Sequence, residues 1–222
     1  MVWSRVMTAF FLRPACAPLV VLSVTVLSLV CWLLLPSHVT MQLLQEGGLV
    51  ENLTVALYCV AILIVLTWRP DRLDRRTAFA IALLLAAMAA RELDLHAAAT
   101  DISVLKLRFW TRAGHVPEKL LAISVIAPVV LCAVYLAKRY LRPLMRAAIT
   151  GDTIAVTLAT CLATLFAAKA IDRSLGIIKN AVAFQSPDWL RALQLAIEEP
   201  YEMLLPVLAV IALVQSHLQR RG

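Results

Sequence analysis

Charge is what this 222-residue sequence has little of. Asp, Glu, Lys and Arg make up 16% of it, against about 25% in an ordinary soluble domain. Hydrophobic residues reach 62% and the mean hydropathy is +0.84. Together these exclude a water-soluble globule and a disordered chain. No CxxC pair occurs, and the five cysteines (Cys16, Cys31, Cys59, Cys132 and Cys161) are scattered. That argues against a disulfide or cysteine metal framework and favours buried, unreactive thiols. HExxH, GxSxG and Walker A are absent, so the sequence carries none of the signatures of a zincin, a serine hydrolase or a P-loop enzyme. The EExxxR of a CAAX-type intramembrane protease is not met, since Met203 follows Glu202 and only His217 lies downstream. The late HxxxH of ceramidase-like hydrolases is missing too.

Long apolar runs are present instead. A spanning helix needs about 20 mostly apolar residues. Six segments qualify or come close: 18–35, 49–68, 77–93, 117–137, 153–171 and 200–218. The sequence therefore predicts a single all-α transmembrane domain, a polytopic bundle of about six spans. The first run follows Arg5 and Arg13 like a signal peptide, but no small-x-small cleavage site comes after it. A retained span is expected, preceded by an interfacial helix carrying Trp3, Phe10 and Phe11. Further short interfacial helices are expected on the outer side, notably 187–199 after a Ser186 cap, with Trp189 as anchor. Pro128 and Pro206 fall inside spans and are expected to kink them.

The net charge is +7, and its distribution across the membrane carries the information. The N-terminal arm, the 2–3 and 4–5 connections and the C-terminus hold twelve basic residues, among them Lys138, Arg139, Arg142 and Arg146. Only Asp71, Asp74 and Asp152 oppose them. The other side holds nine basic and eleven acidic residues. The positive-inside rule then places both termini in the cytoplasm. No basic stripe is interleaved with aromatics on a polar element, which argues against nucleic acid as a partner.

The outer acids gather at span ends. Arg91-Glu92-Leu93-Asp94-Leu95-His96 closes the third span, with Glu92 and His96 on one helical face. That spacing suits two ligands of one metal, or a carboxylate orienting an imidazole; an ordinary water-facing helix end is the plainer alternative. Glu198-Glu199-Pro200-Tyr201-Glu202 leads into the last span. If the helix runs through Pro200, Glu198 and Glu202 share a face and require a cation, a proton or a basic partner such as Arg91 or Lys169. If Pro200 starts the helix, the glutamates merely favour its N-terminus. Glu46 and Glu51 flank Gly47-Gly48 before span two. The basic residues Lys106, Arg108, Lys119, Lys169 and Arg173 could pair these acids or hold an anionic headgroup.

Taken in order, the glutamate–glycine turn, the RELDxH stretch at Arg91, Lys106-x-Arg108-Phe109, Lys119, Lys169-x-x-Asp172-Arg173 and the EExxE at Glu198 resemble a family of small polytopic bacterial inner-membrane proteins. The resemblance covers most of the chain from about residue 40. It implies a bacterial inner membrane and adds weight to the outer-face polar residues, without supplying an activity or cofactor.

Three functions fit this pattern. One is a membrane enzyme or binder acting on an anionic or lipid-linked substrate. Its candidate catalytic residues are Glu51, Glu92, Asp94, His96, Glu199 and Glu202; Lys106, Arg108, Lys119, Lys169 and Arg173 are candidate substrate-binding residues. A divalent metal would be held by Glu92, His96, Glu198 and Glu202. The second is an accessory or structural subunit whose cluster is an ion-pair network. The third is a small transporter, against which the apolar span centres count, Thr157, Thr160 and Thr164 being the main polar stripe.

Overall fold

The fold is known from a computed structural model, which describes residues 10–44, 48–67, 73–93, 95, 107–111, 116–182 and 186–219. Among them every regular element is a helix, so the chain is all-α as expected. In chain order these are α1 (Cys16–Leu34), α2 (Ser37–Leu43), α3 (Leu49–Thr67), α4 (Arg75–Glu92), α5 (Leu107–Thr111), α6 (Val116–Leu136), a π-helical turn (Ala137–Leu141), α7 (Arg142–Ile149), α8 (Thr153–Val182) and α9 (Asp188–Leu218). Five helical stretches among the described residues are long and apolar enough to cross a membrane: Cys16–Leu34, Val50–Thr67, Val116–Ile149, Thr153–Lys179 and Asp188–Leu218. The helix at the expected third span carries Arg75, Arg76, Arg91 and Glu92 at its ends. Its uncharged middle, 77–90, rises only about 21 Å.

Two sequence expectations are corrected by helix continuity. The interfacial helix 187–199 and the last span are one helix, α9, which runs through both Pro200 and Pro206. Each proline deletes one backbone hydrogen bond, but the turns on either side stay helical because the face they carry is packed. Its N-cap position is Pro187, with no side-chain cap from Ser186. The basic 4–5 connection is helical as well, as the π turn and α7. The wider π turn immediately precedes Pro143, whose ring would crowd the Arg139 carbonyl in a regular α-helix. The helix ends only at Gly151, whose φ of 82° is costly for residues with a Cβ. There Gly151 N–H donates to Ala148 O at 3.1 Å and Asp152 N–H to Ala147 O at 3.0 Å. Asp152 then caps α8 by accepting from Ala155 N–H at 2.9 Å.

The chain divides into two packed units, Met1–Leu57 with Pro143–Gly222, and Tyr58–Arg142. In the first, α9 lies antiparallel to both α1 and α8. Its core is Cys16, Ala17, Leu204, Leu208 and Ile211, flanked by Val20, Val21, Val24 and Cys161. The buried face of α8 is small, with Ala155, Thr157, Thr164 and Ala168, which brings helix backbones close where lipid leaves little hydrophobic drive for association. Further along α1, Thr25 and the Tyr201 hydroxyl share a hydrogen bond of 2.9 Å, and Trp32 Nε1–H donates to Trp189 O at 3.1 Å. The opposite face of α1 exposes Leu22, Leu27, Leu33 and Leu34, as a lipid-facing surface requires. All five cysteines are free; Cys31 and Cys59 are exposed on apolar helices rather than buried, a correction to the sequence expectation.

In the second unit α4 packs on α6. Asp74 caps α4 by accepting from Thr77 N–H at 3.1 Å, and its other oxygen accepts from Arg139 at 2.9 Å. The π turn swings Arg139 and Tyr140 toward this cap. The guanidinium lies 5.8 Å and 5.3 Å from the Tyr135 and Tyr140 ring centres. The Thr77 hydrogen bond, followed by Arg139, holds the Asp74 carboxyl below its ordinary value of 3.8. A carboxyl with a depressed folded-state pKa stabilises above its unfolded value, and that gain is lost as pH falls through the folded one. Asp74→Ala is therefore expected to lower the thermal midpoint at pH 7, and the gap to the wild type should close below about pH 4. Asp74→Asn, which keeps a cap, should lose less. A gap unchanged in a melting series from pH 7 to pH 3 would contradict the assignment.

Candidate functional site

The most polar cluster in the first unit joins α8 to α9, toward the end where the two helices connect. α9 presents Gln194, Glu198 and Glu202 at intervals of four, so one face carries all three. α8 presents Lys169 and Asp172 one turn apart. Lys169 Nζ forms an ion pair with Glu202 Oε1 at 2.7 Å and donates to Asp172 Oδ2 at 3.1 Å. The Glu202 side chain is 7% exposed and that of Lys169 33%, so the ammonium reaches the protein edge while the carboxylate does not. Gln194 Nε2–H donates to the Asp172 carbonyl at 2.8 Å and the Ile171 carbonyl at 3.1 Å, with a longer 3.5 Å contact to Glu198 Oε2. Glu198 feels the charges of Asp172, Glu202 and Lys169 together. Glu199 is half-buried on the same turn of α9, and Arg173 is exposed on α8.

The pairing follows from chain geometry. α8 runs 30 residues and α9 31, each about 45 Å long, against a hydrocarbon core of about 30 Å. Thr157 Oγ1 donates to Gln215 Oε1 at 2.8 Å near the other end of the same pair. Lys169 lies twelve residues beyond Thr157, about 18 Å along the helix. Two polar contacts thus join the same helix pair at separate levels. Such groups are expensive in lipid unless they meet each other.

Other predicted site residues stand as follows. Glu51 is half-buried on the first turn of α3. Beside it Asn52 donates to Gly48 O and Thr54 to Val50 O, both at 2.9 Å, so these two polar neighbours are satisfied within their own helix. In the second unit Arg91 and Glu92 form an ion pair of 2.6 Å at the end of α4, the carboxylate being 6% exposed. Lys119 Nζ donates to Trp110 O at 3.2 Å, and the neighbouring Phe109 is buried. Asp94, His96, Lys106 and the Arg108 side chain lie outside the described residues. Among the described residues no three His, Cys, Asp or Glu side chains are close enough to hold one metal ion.

Sequence reasoning named Glu198, Glu202 and Lys169 and missed Gln194 and Gln215. Gln194 was legible as the third member of a stripe with a spacing of four. Gln215 was legible as a lone amide after the apolar run that begins at Leu204. No protein-family model matches the chain, and neither a curated protein nor a solved structure does.

Proposed function

We propose that this chain is a multi-pass component of a bacterial plasma membrane, with six crossings and both termini in the cytoplasm, acting as an accessory or structural subunit. The outward acid–base cluster is then a lock that fixes α8 against α9. One observation carries this reading: the Lys169 ammonium, which a headgroup-binding site would keep available, is held by Glu202 and Asp172 at ion-pair distance. Gln194 adds two carbonyl contacts that tie the α8 backbone to the same face. Groups spent on each other hold helices in register, whereas catalysis needs a donor or base aimed at a substrate.

The charge-exchange experiment tests the lock. Lys169→Glu and Glu202→Lys should each reduce the yield of folded protein in mild detergent, and the double exchange should recover most of it. Singles that fold normally, or a double no better than either single, would overturn the reading.

Orientation has its own test. The twelve basic residues on one side require α4 to cross the membrane despite its short apolar middle, with the Arg91–Glu92 pair neutralising its outer end. A reporter active only in the cytoplasm should therefore work at either terminus. Activity at one terminus alone would mean five crossings, and α4 would not span.

A second reading is favoured by the grouping of the acids. Asp172 and Glu202 both lie at ion-pair distance from Lys169, with Glu198 one turn from Glu202 on the same face, and carboxylates gathered in this way attract a proton or cation. Together with the RELDxH stretch, that supports a metal-dependent enzyme acting on an anionic or lipid-linked substrate. Elemental analysis of chelator-free protein distinguishes the two, since near-stoichiometric zinc, iron, manganese or calcium would favour this second reading.

A further inference from the structure

The depth of the Lys169–Glu202 pair follows from its neighbours in the first unit. α1 has 19 residues and rises about 28 Å, which matches a hydrocarbon core of about 30 Å. Thr25 is its middle residue, nine after Cys16 and nine before Leu34. The Tyr201 hydroxyl meets Thr25 at 2.9 Å, and the next residue of α9 is Glu202. α8 gives the same depth. Thr153 Oγ1 donates to the Leu12 carbonyl, just ahead of α1. Lys169 follows Thr153 by sixteen residues, about 24 Å, and its side chain leans back toward that end. The ion pair therefore lies near the middle of the membrane, with Asp172 Oδ2 3.1 Å from the same ammonium.

Exposure at that depth has a physical meaning. The Lys169 side chain is 33% exposed and that of Asp172 43%. Lipid does not accept a bare ammonium or carboxylate. The lipid-facing side of α8 lies elsewhere: Phe166 is 72% exposed, and Leu162 and Ala170 are exposed beside it. Asp172 stands about 120° around the helix from Phe166, on the flank whose backbone Gln194 of α9 holds. Polar residues also leave the pair in one direction only. Glu198, Gln194 and Arg191 climb α9 toward Trp189, whereas residues 153–168 of α8 and 203–216 of α9 carry no charge.

We propose that this flank of α8 and α9 is one wall of a water-filled inlet. It opens at the Trp32–Trp189 end and stops at the Lys169–Glu202 pair, where the charged residues stop. Protons and small hydrated ions then reach a contact in the middle of the membrane that lipid would keep dry. The inference rests on the lock reading of the same pair and adds its regulation, since a lock that water reaches can be opened by the solution on that side.

The test is cysteine labelling of the full chain in lipid nanodiscs, which leave both membrane faces open to a cationic, water-soluble methanethiosulfonate. Asp172→Cys, Phe166→Cys and Lys179→Cys are compared as single variants, and modification is read peptide by peptide, so the native cysteines stay in place. Lys179 is exposed ten residues beyond Lys169 and sets the rate in open water. Phe166→Cys sets the rate in lipid at the same depth, and the native Cys59, exposed in the middle of α3, gives a second slow reference. A thiol in apolar surroundings keeps its proton and reacts about a hundredfold more slowly. Asp172→Cys should approach Lys179→Cys and exceed Phe166→Cys by more than about tenfold. A smaller excess would overturn the proposal, because lipid or another helix would then cover the flank. Asp172→Cys leaves the Lys169–Glu202 pair intact; should it fail to fold, Glu198→Cys is read against the same references and the same limit. Charge exchange at Lys169 and Glu202 reads pairing and labelling reads water, so the lock and the inlet can fail separately.

Discussion

Replacing Lys169 with methionine will lower the unfolding free energy in detergent by about 2–3 kcal/mol, while replacing Lys169 and Glu202 together with methionine will cost far less. Removing one partner of a buried ion pair costs about 3–5 kcal/mol, because the other charge stays in a low dielectric without compensation. Glu202 is the deeply buried partner and Lys169 is one-third exposed. Water reaching the vacated position softens the loss, which places the expectation below that range. Methionine fills much of the aliphatic volume of lysine, so packing is nearly conserved and the change reads charge. In the double variant no buried charge is stranded, since Asp172, the other partner of Lys169, is exposed, and an apolar pair is as acceptable there as an ionic one. Trp32 and Trp189, with ring centres 6.5 Å apart, report on the same unit, so tryptophan fluorescence during unfolding is a direct reading. Arg173→Met, an exposed change four residues away, should stay within about 0.5 kcal/mol. If Lys169→Met is as mild as Arg173→Met, the cluster is not a lock. If the double variant is as damaged as the single, the loss comes from packing or other partners of Lys169, and the ion pair is incidental.

How far the sequence could carry this cluster depends on what fixes each contact. Helices and their apolar faces are written in local composition, so five long apolar stretches were legible, and four of them matched their expected starts within about two residues. The exception was α9, because Pro200 is a local breaker whose effect is overridden by packing of the helix on both sides of it. With the helix continuous, the spacing of four between Glu198 and Glu202 becomes a shared face, an outcome the sequence held open. Which base meets that face was not legible. Arg91 and Lys169 were equal candidates by charge, and the choice of Lys169 follows from the antiparallel register of α8 and α9. That register is set by small residues at Ala168 and Thr164 and by the Thr157–Gln215 contact, none of which is a charge pattern. The helical course of the 4–5 connection was hidden for a related reason. A basic stretch between two spans reads as a loop, and only the π turn ahead of Pro143 lets the helix continue into it.

Gln215→Leu is the second large effect, and it should act locally before it acts globally. Gln215 is fully buried; its Oε1 accepts from Thr157 and its Nε2–H donates to the Phe11 carbonyl at 3.0 Å. Leucine fills the volume and removes both functions. Thr157 then has a remedy, because its hydroxyl can turn to the carbonyl one turn back, as those of Thr25, Thr54 and Thr160 already do. The Phe11 carbonyl lies in the turn before α1 and loses its donor. An unsatisfied buried carbonyl costs about 1–3 kcal/mol, but side-chain hydrogen bonds in membranes average nearer 0.6 kcal/mol. The remedy at Thr157 puts the expectation at about 1–2 kcal/mol, with Thr157→Val near the lower, membrane-derived figure. The arm has a second tether, since Thr153 Oγ1 donates to the Leu12 carbonyl at 3.0 Å. Hydrogen exchange across 10–15 should therefore rise several-fold in Gln215→Leu and in Thr153→Val, and much more when both are lost. Two tethers on adjacent carbonyls of one turn share the same ordered segment, so the double variant should exceed the sum of the singles. Strict additivity would mean that the turn is held by the packing of Phe11 against the core cluster rather than by these bonds.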